Sequence, residues 1–150
     1  MNTFKDQIIL FIIMFFVGIF FNPMNVLAFN INHIYLSYTL IYSGVLMASN
    51  MIWSHQIVHY LQMGHFNKNI FILGLLMSIF TGYFLLRKQL FVNEKEWLRR
   101  MIGHHSTALT TTKKLLKKRK NLKKFPNLYG LAKDIVYNQE REIMFMKSYL

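Results

Sequence analysis

The sequence predicts an all-α protein in which three transmembrane helices are followed by an antiparallel helical hairpin. Three observations carry that prediction. The first part of the chain holds three apolar runs without a charged side chain inside them. The charge is segregated: residues 87–150 carry sixteen basic and five acidic side chains, so +11 of the formal +12 lies there. That basic part shows helical apolar periodicity, interrupted once by proline. The chain of 150 residues thus divides into a membrane region, 1–86, and a basic hairpin domain, 87–150.

The first expected span covers about residues 8–28. Ile8 to Phe21 is fourteen apolar or glycine residues in a row, and apolar character resumes after Asn22-Pro23. Proline is tolerated in membrane helices. The same segment also fits a cleavable signal peptide, with one lysine, an apolar stretch and Val26-Leu27-Ala28 after the break. The second span covers 34–53 and the third 70–86. Helices near 20 residues cross roughly 30 Å of hydrocarbon, and the third is at the short end of that range. None has a polar stripe as wide as a soluble core helix would show. Tyr35, Trp53 and Tyr83 are the expected interfacial anchors. The bias of Arg87, Lys88, Lys95, Arg99 and Arg100 over Lys5 and Lys68 favours a cytoplasmic tail, although a tail of this length is exported regardless of charge in many proteins.

In the basic domain, Asn93 followed by Glu96 is a capping-box pattern. Apolar positions then recur through Leu98, Met101-Ile102, His105, Ala108-Leu109, Thr112 and Leu115-Leu116. Phe125-Pro126-Asn127 stops that helix, because proline lacks the N–H and clashes with the preceding turn. A second periodic run goes from Leu128 to Leu150, so the two helices should pack antiparallel. Together they bury little area, and a homo-oligomer or the membrane helices are expected to complete the core.

Two residue sets suit metal chemistry. Met101, His104, His105 and Ala108 fall together on one helix, and Gln139, Glu142, Ile143 and Met146 share a face on the other. With no cysteine in the chain, thioether and imidazole are the soft donors, and they suit copper, especially Cu(I). Methionines filling an irregular core, with one histidine bonding across the helices, explain the same pattern. The second set is Met47, Met51, His55, His59 and Met63, each four apart. That row drifts by about 40° per step, so only neighbouring pairs can chelate. Packing is the alternative here too. His33 and His65 add little from spacing alone.

Other classes find less support. Six carboxylates in the whole chain argue against a carboxylate-rich active site. The sequence lacks Glu-x-x-His, His-Glu-x-x-His, Gly-x-Ser-x-Gly and a glycine-rich phosphate loop, so an enzyme is the least supported class. Lys113 to Lys124 holds eight basic residues in twelve. Close to a membrane span, such a run meets anionic lipid at about 1 kcal/mol per charge. A solvated helix end explains it equally. Nucleic acid is disfavoured, since no aromatic residue is interleaved before Phe125.

The hairpin residues resemble a known bacterial family, domain of unknown function 305. Its signature is Met-Ile-Pro-His-His at a helix start, an alanine soon after, and Gln-x-x-Glu-Ile-x-x-Met before an aromatic-Leu ending. The counterparts are Met101-Ile102-Gly103-His104-His105, Ala108, Gln139, Glu142-Ile143, Met146 and Tyr149-Leu150. Leu46-Met47 with Met51, and Arg87-Lys88-Gln89, resemble further patterns of its membrane-bound members. The resemblance implies a ferritin-like helical hairpin and, as in some members, copper binding for tolerance or transport outside the cytoplasm. Met101, His104, His105 and Met146 are the ligands it implies. Gly103 departs from the usual proline and Thr111 from a second methionine, which puts a ligand in doubt. Two functions stay open: a copper-binding membrane protein of metal homeostasis, or a metal-free structural protein that assembles and docks on anionic lipid. Export of family members runs against the charge-based orientation, which is left open.

Overall fold

A computed structural model describes residues 4–150, apart from the side chain of Lys120. Among the described residues every regular element is helical. The chain forms two compact units, residues 4–22 with Tyr38–Val92, and Pro23–Ser37 with Asn93–Leu150.

The first unit contains helix α1 (Phe4–Phe20), which ends before a one-turn helix, α2 (Pro23–Val26). Asn22 helps to close α1 by donating from its amide to the carbonyl of Ile19 at 2.7 Å. Helix α3 spans Tyr38–Met63 and α4 spans Lys68–Phe80, continuing as a π-helix over Thr81–Arg87. The Asn67 side chain caps α4 by accepting the Ile70 N–H at 3.3 Å. Beyond the π-helix, Gln89 and Phe91 take left-handed φ values of 49° and 61°. Residues with a Cβ seldom adopt that region. Hydroxyl donors hold this turn: Thr39 to Gln89 Oε1 at 3.2 Å, and Tyr42 to the Leu90 carbonyl at 2.8 Å.

Helix α3 is the centre of this unit and packs on both α1 and α4. Small residues make the approach close. A Cβ added to Gly18 would lie 2.9 Å from the Gly44 Cα, and one added to Gly74 would lie 3.0 Å from the Trp53 backbone nitrogen. Ala48 and Ser49 are fully buried on α3. Interfaces of small residues are characteristic of helices that pack without a hydrophobic driving force between them. Burial is correspondingly inverted: Ser49 and Gln56 are buried, while Ile8, Ile12, Phe16, Leu76 and Ile79 are exposed.

Two segments are long and apolar enough to cross a membrane by length and composition, Phe4–Val26 and Lys68–Arg87. This corrects the expectation of three spans. The second expected span, 34–53, belongs to a helix that runs to Met63 and carries Asn50, Ser54, His55, Gln56, His59 and Gln62. Those side chains lower its mean hydropathy below that of its neighbours.

The second unit is the hairpin. Helix α5 (Glu94–Lys118) and helix α6 (Pro126–Lys147) pack together, joined by a 3-10 stretch over Lys120–Lys124. Asn93 caps α5 as expected, accepting the Glu96 N–H at 3.0 Å. The Glu96 carboxylate pairs with Arg99 at 2.6 Å. Proline stands in the first turn of α6, where its missing N–H has no intrahelical partner to lose. The core is Ile102, Leu109, Ile143 and Met146, with Leu98, Met101 and Val136 packed against it.

Tyr35 also packs on that core. The segment Pro23–Ser37 is a strap laid along the hairpin. The Phe29 N–H donates to Ser106 Oγ at 2.7 Å, and the Lys113 ammonium stands 4.3 Å from the centroid of the Phe29 ring. Part of the core that two helices cannot supply alone thus comes from residues far earlier in the chain.

Candidate functional site

The hairpin set predicted for metal is brought together but divides in role. Met146 is buried in the core cluster, and Met101 packs against it. His104 is exposed, and its ring meets His105 edge-on at 6.0 Å between centroids. His105 is engaged at both ring nitrogens. Nδ1 donates to the Met101 carbonyl at 2.8 Å, and Nε2 stands 2.7 Å from Glu142 Oε2. Glu142 is therefore the partner that sequence reasoning placed on the right face without giving it a role. Its signal was the i+3 position after Gln139 together with the scarcity of acids.

Neighbouring groups complete the picture. Lys113 pairs with Glu140 at 2.5 Å, a second link between α5 and α6. Ser106 is fully buried and accepts from Phe29 while contacting His33 Nδ1 at 3.0 Å. Burial first, and the nearby Lys147 ammonium second, hold the His33 imidazole below its ordinary pKa. Burial likewise lowers Arg100 from the usual guanidinium value. Buried oxygens of Thr110 and Gln139 find no hydrogen-bond partner. Gly103 is an interior residue of α5, not a helix start, and a Cβ there would meet the Met24 sulfur at 3.3 Å.

The row on α3 does not act as one set. Met47 packs against Gly18 of α1, where an added Cβ would come within 3.2 Å of its sulfur. Met51 is half-buried. His55 faces Gln7 of α1, with Nδ1 3.4 Å from the amide nitrogen. His59 donates from Nδ1 to the His65 carbonyl at 3.0 Å. Among the described residues no group of three or more His, Asp or Glu side chains could hold a metal ion.

At the far end of the hairpin the basic run lies open. Lys114, Lys117, Lys118, Arg119, Lys123 and Lys124 are all exposed. Arg119 and Lys123 border a surface depression together with Leu116 and Tyr129. Beside them Phe125 is 62% exposed and Leu131 55% exposed, so large apolar side chains share the tip with the cations.

Comparison with known proteins gives two matches. A family model described as "Domain of unknown function (DUF305)" matches residues 86–150. An uncharacterized protein, L153, of Acanthamoeba polyphaga mimivirus is 34% identical over 146 residues, which is 97% of this chain and 92% of the viral protein. No solved structure matches the chain.

Proposed function

This chain belongs to the DUF305 family, and on that footing we propose that it is an integral, multi-pass membrane protein whose basic hairpin docks on anionic lipid. The observation that carries this reading is the hairpin tip, where six exposed cations stand beside exposed Phe125 and Leu131. Amphipathic surfaces of that kind bind by electrostatic attraction and shallow apolar insertion together. Two segments of the same chain are long and apolar enough to cross a bilayer. Each cation near the surface contributes about 1 kcal/mol, and salt screens that attraction. A second copy completing a ferritin-like bundle is compatible with this arrangement.

The test uses the full chain in lipid nanodiscs, with trypsin cleavage at Lys114–Lys124 as the readout. Anionic lipid should slow cleavage there relative to zwitterionic lipid, and about 0.5 M salt should remove the difference. Equal cleavage rates on both lipids would sink the reading.

A second reading keeps copper at the hairpin, and one observation favours it. The Met101 carbonyl fixes His105 with its Nε2 directed at α6, and a carbonyl bond to the other ring nitrogen is what orients a histidine for metal. Cu(I) would replace the proton shared with Glu142, with His104 and the thioethers of Met101 and Met146 as further donors. Cu(I) titrated against a chelator decides it. An unchanged affinity after replacing His104, His105 and Met146 together rules the hairpin site out.

A further inference from the structure

We propose that the depression at the hairpin tip, bordered by Leu116, Arg119, Lys123 and Tyr129, is a headgroup site for a lipid phosphomonoester of the phosphatidic acid class. The inference rests on the lipid-docking reading and names the headgroup that this surface selects. The depression measures about 420 Å3. Pockets that hold small ligands run from roughly 300 to 1,000 Å3.

The fold holds its cations in place. Helix α5 ends at Lys118; Arg119 follows it directly, and Lys123 lies within the 3-10 stretch Lys120–Lys124. The Leu122 N–H donates to the Arg119 carbonyl at 2.9 Å, and the Phe125 N–H donates to the Leu122 carbonyl at 3.0 Å. The Leu122 side chain is buried and pins the turn. A backbone ordered in advance loses less entropy when a ligand arrives. Tyr129 borders the depression from α6, and the Lys133 ammonium stands 4.8 Å from the centroid of its ring. A third cation therefore accompanies the first two.

The carboxylates of the hairpin do not neutralise this group. No acidic residue lies between Lys113 and Lys133. Glu96, Glu140 and Glu142 are engaged elsewhere, by Arg99, Lys113 and His105. Among the described residues no carboxylate pairs with Arg119, Lys123 or Lys133.

Charge and geometry together name the headgroup. A phosphodiester brings a single charge, whereas a phosphomonoester carries about −1.5 to −2 near pH 7 and offers three acceptor oxygens. The planar fork of Arg119 suits two of those oxygens side by side, and the Lys123 ammonium suits the third as a point charge. Leu116 and Tyr129 supply carbon against which the glycerol backbone can rest. The other tip cations, Lys114, Lys117, Lys118 and Lys124, add attraction without discriminating between anionic lipids.

The full chain in phosphatidylcholine nanodiscs tests this, with phosphatidic acid or phosphatidylserine added to equal surface charge. Trypsin cleavage is read at Lys118 and Lys124. Phosphatidic acid should slow it about tenfold more than phosphatidylserine does, the effect of one further charge-assisted hydrogen bond. A variant carrying Arg119→Gln and Lys123→Gln keeps both readout lysines. It should lose the preference while still responding to anionic lipid in general. The phosphorus NMR shift of phosphatidic acid gives a readout without proteolysis. At about pH 6, near the second pKa of a phosphomonoester, the native chain should drive the headgroup towards its doubly ionised form and the variant should not. Equal protection by the two lipids, or a preference that survives in the variant, overturns the headgroup site and leaves lipid docking standing. Protection by neither lipid overturns docking itself and the site with it. Free glycerol 3-phosphate that protects the tip in zwitterionic nanodiscs as strongly as phosphatidic acid does would show a soluble ligand and overturn the lipid assignment.

Discussion

His105 and His33 show how a histidine that suggests chemistry in sequence becomes a fastener in three dimensions. His105 joins its own helix to α6 through Glu142 at 2.7 Å. His33 joins the strap to α5 through Ser106, whose hydroxyl accepts from Phe29 and is left to donate to the imidazole. A protonated His33 cannot accept that bond at Nδ1. Its pKa is held below 6.5 by burial and by Lys147, so the docked strap binds fewer protons than the released one in the window just below that value. Stability then rises with pH through that window, is fully present above it, and falls on acidification. Hydrogen exchange at the Phe29 amide should accelerate between about pH 7 and pH 5 beyond its intrinsic pH trend. The same series in His33→Asn should follow the intrinsic trend alone; a matching acceleration in that variant would place the cause elsewhere.

Helices were the most legible feature, because their signals are local. The Asn93 cap, the proline opening α6 and the apolar period of α5 all act within one or two turns, and each is realised. Glycines were not legible in the same way. Gly18, Gly44 and Gly74 mark close helix contacts, whereas Gly130 lies within α6 with nothing near its missing Cβ. Gly130→Ala should therefore stabilise the hairpin by about 1 kcal/mol, since only the backbone entropy of the unfolded chain and helix propensity change. Thermal unfolding of the full chain in detergent, followed by circular dichroism, measures this; a lower midpoint would show an unseen contact at that face. Helix α3 does not qualify as a span by length and composition, although its apolar start suggests one ending at Trp53. The helix continues through a more polar second half to Met63.

Taken as a single chain, the protein is divided by charge at about Arg87 but by packing along different lines. Pro23–Ser37 belongs with the hairpin, although it lies between two apolar helices in sequence. The hairpin ligand candidates were legible as a group, since i+3 and i+4 spacing places side chains together on any helix. Their roles were not, because Glu142 meets His105 across 37 positions and Ser106 meets Phe29 across 77. Composition and periodicity alone settle the helical class, the apolar first part of the chain and the basic tip, all of which depend on neighbours within a few turns. Folding in three dimensions settled which polar face of α3 is buried, where the strap lies and which histidines meet. Those outcomes depend on contacts between distant segments, and no local pattern encodes the partner.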